Sequence, residues 1–266
     1  MLTEIVARAP IFLLVAVRCF AMILTVPLLS MRNVPRVAKV SLAGFMAFLV
    51  LPSAYTNDWQ QFDFATSSAS LQYVMFIIGE GLIGIITGFY ISIIFAAFSS
   101  AGQFFTFQMG FGASEVYDTL SQIENPIMGQ FLNLIAMLVF LFTGAFQQLF
   151  LSGVLRSFQS LNSLVLVAQK EHFMRFLLSG LTSLFYDAMM IALPIVGTLF
   201  LVSVTMGLLS KAAPQMNLLS EGLPLSIMVA FFLLTLLLPI MCGFFSRSFD
   251  IAFSKLENLF VIVAPK

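Results

Sequence analysis

Arg18, Glu80 and Asp187 each stand alone inside a long apolar run. An ionised side chain at the centre of a bilayer costs about 2.5–3.5 kcal/mol on insertion scales, and more by other estimates. Charges so placed pair with one another, pair with a partner subunit, or face water in a pore. These outcomes belong to membrane assembly or transport rather than to soluble chemistry. Glu80 and Asp187 are also the carboxylates that a proton-coupled transporter would use as proton sites.

The remaining reactive residues form no catalytic set. The sequence holds no Gly-rich phosphate loop, no HExxH and no GxSxG. Its one histidine, His172, follows Lys170 and Glu171 and reads as a solvated residue that cannot build a metal site by itself. Cys19 and Cys242 lie in separate apolar stretches without CxxC spacing, so they read as small buried hydrophobes rather than a disulfide or redox pair. No enzyme activity, metal or cofactor is expected. The net charge is zero, which gives nucleic acid nothing to recognise.

The elements that must hold these charges are helices in a membrane. The chain is 60% hydrophobic and 9% charged, where a soluble domain carries roughly 25% charged residues. Its mean hydropathy is +1.04. A bilayer-spanning helix needs about 20 mostly apolar residues. Six such stretches can be read, at 9–31, 40–56, from Leu71 to about Ser100, Ile127–Leu155, 177–210 and 223–246. No fixed-period repeat and no barrel-like alternation competes with an all-α reading.

Residues 9–31 are too long and too interrupted, by Arg18, for a cleaved signal peptide. The basic residues Arg32, Arg36 and Lys39 follow where a cleavage site would lie, so the segment is expected to remain. Those basic residues favour a cytoplasmic linker, yet simple alternation then puts the acidic 115–124 loop inside and the basic 156–175 segment outside. Ordinary alternating spans therefore do not describe the chain. Some stretches are hairpins that do not cross, or the protein does not insert as an ordinary bundle.

Three further patterns carry information. Gly81, Gly84 and Gly88 surround Glu80 with small residues at helical spacing, which lets two helix backbones approach closely. The partner helix is either in this chain or in another subunit. Arg18 is one candidate cation for Glu80, although it could also snorkel to an interface. Residues Ala101–Pro126 read as leaving a helix through Gly102 and combining Phe104, Phe105, Phe107, Met109 and Phe111 with Gly110 and Gly112 before turning acidic. Such backbone at membrane depth is packed in protein or lines a cavity, so the stretch is a buried hydrophobic loop or a constriction. Finally, Lys211 and Pro214 end one helix, and Glu221 opens the next, making a hairpin with polar residues at its tip.

The order of Pro10, Arg18, Glu80-Gly81, Gly84, Gly88, Ala101-Gly102-Gln103, Gln108-Met109-Gly110-Phe111, Asn125-Pro126, Ala213-Pro214-Gln215-Met216-Asn217 and Gly222-Leu223-Pro224 resembles the FliR/SpaR/YscT family of type III secretion export gates over essentially the whole chain. The resemblance implies a non-enzymatic channel subunit of the flagellar export gate, in the bacterial inner membrane at the basal body. Its partners would be FliP and FliQ homologues in one helical hetero-oligomer, FlhB at the cytoplasmic entrance, membrane lipid, and unfolded flagellar axial proteins as cargo. Residues 1–176 would be FliP-like, with a plug loop near 104–126, and 177–266 a FliQ-like hairpin. Phe105, Phe107, Gln108, Met109, Gly110 and Phe111 would seal the pore, and Lys211, Pro214, Gln215, Asn217 and Glu221 would form the cytoplasmic tip. Arg18, Glu80 and Asp187 would be satisfied between subunits. An injectisome counterpart with other cargo, and a small proton-coupled transporter, are the rival readings. No role is assigned to 156–176.

Overall fold

The computed structural model describes residues 2–31, 33–54, 71–110, 127–161, 163–213 and 218–263. Among them no strand occurs, and the chain is an all-α membrane protein. Helix α1 spans Leu2–Thr25, α2 Pro27–Ser30, α3 Arg36–Ala54, and α4 the 38 residues Leu71–Gln108. Helix α5 covers Ile127–Phe142 and α6 Ala145–Gln148, followed by a π-helical segment Leu149–Leu155. Helices α7 (Arg156–Ser160) and α8 (Ser163–Ala168) lead to α9 (Lys170–Ala212) and α10 (Leu218–Val263).

The breaks have local causes. Val26 precedes a proline and is extended, and Pro27 opens α2 at the first position, the two places where proline geometry fits a helix start. The short α2 is closed by Lys39, whose Nζ donates to the Ser30 and Met31 carbonyls at 2.9 and 3.1 Å. A cation there satisfies carbonyls that the helix itself leaves unpaired. Between α5 and α6 the turn passes through Gly144 at φ +73°.

Three described helices are long and apolar enough to cross a bilayer, or four if the bent pair α5 with Ala145–Phe158 counts as one span. Each of the six stretches read from sequence falls on helical segments of its own, but among the described residues only α4, α9 and α10 are single helices long and apolar enough to span. Pro194 lies within α9, and Pro224 and Pro239 within α10, without ending them. Helix α4 likewise continues through Gly102 to Gln108, which corrects the expected exit from helix at that glycine.

The chain divides into two compact units, each discontinuous in sequence. Unit 1 comprises Met1–Ile93, Gly144–Leu181 and Phe249–Lys266, and unit 2 comprises Ile94–Thr143 and Thr182–Ser248. A single cut at 176 does not separate these units. The expected FliP-like and FliQ-like division concerns resemblance, which packing into units does not address. In unit 1, α1 packs against α3, and Leu14, Met22, Ile23, Ile83 and Phe158 are buried. In unit 2 the core includes Phe98, Phe105, Phe140 and Phe245, with the Phe98 and Phe245 rings 4.1 Å apart.

Candidate functional site

The charges of unit 1 meet within the chain. Glycines in α4 make that possible by bringing its backbone against α1. A Cβ on Gly84 would strike the Arg18 carbonyl and the Ala21 side chain, and one on Gly88 would strike Thr25 and lie 2.9 Å from the Met22 carbonyl. Gly81 is looser, since a Cβ there would sit 3.5 Å from Val17. Of the two partners left open for this glycine face, the structure presents a helix of the same chain.

Arg18 and Glu80 then form a buried ion pair. Arg18 Nε donates to Glu80 Oε2 at 2.7 Å, Nη1 to Ser157 Oγ at 3.3 Å, and Nη2 to the Leu161 carbonyl at 2.9 Å. The guanidinium carbon lies 3.9 Å from the centroid of the Phe158 ring. Glu80 Oε1 accepts from the Ser163 backbone N–H at 3.1 Å, and Ser157 Oγ donates onward to the Val154 carbonyl at 2.7 Å. Arg18 is 3% exposed and Glu80 0%. Burial of both charges is tolerable only because their remaining donors and acceptors are engaged. The expected pairing between subunits is thus replaced, for Arg18 and Glu80, by pairing inside the chain. Asp187 lies half-buried on α9 in unit 2.

The segment 156–163, without an assigned role in the sequence, supplies the other half of the cluster. Ser157, Phe158, Leu161 and Ser163 all converge on the ion pair. Ser157 and Leu161 are 139 and 143 positions from Arg18, and no spacing rule connects residues so distant. The only hint in the sequence is polar residues interrupting an apolar context. A second ion pair, Arg156 with Glu257, ties the start of α7 to the end of α10.

The expected pore-sealing residues lie in unit 2, and the helix sorts them. Phe105 and Met109 are buried at 0% and 1% exposure, whereas Phe107 is 66% exposed. Positions 105 and 109 are one turn apart on α4, and 107 points the opposite way, as a period of 3.6 requires. Phe105, Phe107 and Met109 therefore do not share one face. The reason is that the stretch is helical to Gln108 rather than a loop. Gln108 and Gly110 are half-exposed. The helix closes with Met109 N–H donating to Phe105 O at 2.9 Å and Gly110 N–H to Phe107 O at 3.1 Å. Gly110 adopts φ +86°, a conformation that glycine reaches at little cost.

Gly102 has a different task. A Cβ on it would collide with the Gly129 backbone and stand 2.6 Å from the Met128 carbonyl, so it sets the close crossing of α4 and α5. Lys211 occupies the last turn of α9 and is exposed, and Glu221 lies in the first turn of α10. Phe111, Pro214, Gln215 and Asn217 lie outside the described residues. No group of His, Cys, Asp and Glu able to hold a metal occurs among the described residues.

Comparison with known proteins places this geometry in context. The family described as bacterial export proteins, family 1, matches residues 9–252. The chain is 30% identical to the flagellar biosynthetic protein FliR of Bacillus subtilis (strain 168), over 98% of its own length and 99% of that protein's. It is 30% identical to the protein of the same name from Escherichia coli (strain K12), over 91% and 89% of the two chains. It is also 30% identical to the surface presentation of antigens protein SpaR of Shigella flexneri, over 63% and 64%.

Proposed function

The chain belongs to the bacterial export proteins of family 1 and is a membrane-embedded subunit of a type III export apparatus; from that premise we propose that it helps form and seal the flagellar export pore. Unfolded flagellar axial proteins are the cargo, FliP and FliQ homologues the neighbours in one hetero-oligomer, and FlhB the protein at the cytoplasmic entrance. The membrane is the inner one. The observation that carries the flagellar reading is the extent of similarity, which reaches 98% of the chain for a FliR relative and 63% for SpaR. The injectisome reading keeps the same fold and mechanism with other cargo.

Sealing falls to the end of α4. Phe107 presents an exposed ring there, anchored by buried Phe105 and Met109 on the opposite face. Flat aromatic and flexible Met side chains can close a hole and repack when a chain passes. Asp187, Lys211 and Glu221 are the charges we assign to contacts with other subunits. A proton-coupled transporter would need Glu80 to exchange protons with water, but both its oxygens are engaged by Arg18 and Ser163 in a buried site.

Deleting residues 106–113 tests the sealing role. The complex is expected to assemble and the resting membrane to become permeable to small ions. An assembled deletion complex with normal permeability would remove the seal from this segment. Native mass spectrometry of the tagged protein from its own operon tests the partners. A particle several times the 29.3 kDa chain with two other small membrane proteins is expected, and a monomer or homodimer would overturn the assembly.

A further inference from the structure

The end of α4 and the first turns of α10 meet at Gly110 and Leu223. The space that a Cβ on Gly110 would fill is occupied by Leu223 Cδ2, with Leu223 Cγ 3.8 Å from the same position. Glycine suits this position by its φ of +86°, and a Cβ there would displace the far end of the Leu223 side chain. Leu223 is 39% exposed, so the insertion is partial. Its neighbour Gly222 faces α9, where a Cβ would lie 3.7 Å from Met206 Cε. The start of α10 is thus held between Met206 of α9 and the closing turn of α4, all within unit 2.

We propose that Leu223 is a latch: its methyl group, seated in the notch left by Gly110, holds the closing turn of α4 in its resting position. The proposal rests on the sealing role of that turn given above. A contact made by one aliphatic side chain carries no directional bonds, so a small withdrawal of the first turns of α10 breaks it completely. Displacement of the first turns of α10, by cargo or by a partner subunit, would therefore free the turn that carries Phe107. Leu223 thereby couples the start of α10 to the pore-sealing turn through a contact that the ion-pair cluster of unit 1 does not share.

The test uses the full chain, expressed from its own operon in the assembled complex. Leu223→Ala is expected to assemble normally and to raise resting ion permeability several-fold, to less than that of the 106–113 deletion. Wild-type permeability in an assembled Leu223→Ala complex, beside a leaky deletion, overturns the latch and leaves the seal standing. A deletion that does not leak removes the sealing role instead. The latch is then judged by joining Gly110→Cys to Leu223→Cys in a background with Cys19→Ala and Cys242→Ala. Oxidation is expected to lower cargo secretion at least tenfold and reductant to restore it. Unchanged secretion from the fully cross-linked complex, or no cross-link in the assembled complex, overturns the proposal.

Discussion

Around Arg18 and Glu80 both charges are met from within the chain, by each other, one further polar side chain, two backbone groups and an aromatic ring. Along α10 the balance is reversed. Of its most apolar 18 residues only 17% are buried, and 28% of the corresponding residues of α9, against 56% in α4. Phe232, Ile240 and Met228 of α10 and Phe200, Leu201 and Leu208 of α9 are exposed. The contrast separates what this chain completes alone from what it leaves for a surrounding phase. The charges of Arg18 and Glu80 are matched internally, because a charge unmatched in apolar surroundings is costly. Apolar faces can be left open, because lipid or another subunit's helix covers them with little selectivity.

The largest expected effect comes from breaking the ion pair on one side. Glu80→Ala leaves Arg18 buried without its counter-charge and is expected to lose about 3–5 kcal/mol, read as a large drop in chain accumulation and in thermal stability in detergent. Converting both partners, Arg18→Met with Glu80→Met, is expected to recover most of that loss, since a well-packed apolar replacement for a buried pair is often neutral. A double variant as unstable as the single one would mean that the contrast between the regions is wrong.

The next effect tests how the cluster is brought together. Gly84→Ala places a methyl group against the Arg18 carbonyl and Ala21, and is expected to cost about 1–3 kcal/mol, as overpacking does. Gly81→Ala, with only ordinary contact to Val17, is expected to be neutral or to gain up to about 1 kcal/mol from helix propensity. Equal effects at the two positions would show that α1 and α4 do not cross as described. Thermal unfolding of the purified chain measures both.

A smaller change sharpens the peripheral polar contacts. Ser157→Ala removes one hydrogen bond of 3.3 Å to Arg18 and is expected to cost about 0.5–1.5 kcal/mol, seen as a modest fall in melting temperature. The smallest effect on the chain itself belongs to the open helices. Phe232→Ala on α10, exposed in the chain, is expected to change its stability by less than about 0.5 kcal/mol while reducing co-purification with partner subunits. A strong loss of chain stability would show that this face is closed internally after all.

The helical, membrane-bound character of the chain was legible from composition and apolar length alone. So were the residues that mattered, Arg18 and Glu80 among them, because an isolated charge in an apolar run must be compensated wherever the fold takes it. The helix end near Lys211 was legible for a similar local reason, whereas the exit from α4 was expected at Gly102 and comes only at Gly110. The boundaries of the long helices were less so. The stretches read at 177–210 and 223–246 already ran through Pro194, Pro224 and Pro239, but α9 and α10 extend beyond both sets of bounds, since neighbouring helices and lipid favour closed backbone hydrogen bonds over an exposed break.

What the sequence by itself determined was the inventory: apolar helices, buried charges, glycines spaced for close packing, and an aromatic segment beside them. The tertiary structure decided which of these meet. It joined Glu80 to Arg18, recruited Ser157, Phe158, Leu161 and Ser163 from an unassigned segment, and turned Phe107 away from Phe105 and Met109. The physical reason is range. Solvation and helix periodicity act within a few residues and can be read along the chain, whereas a hydrogen bond between residues 143 positions apart exists only once the intervening helices have packed.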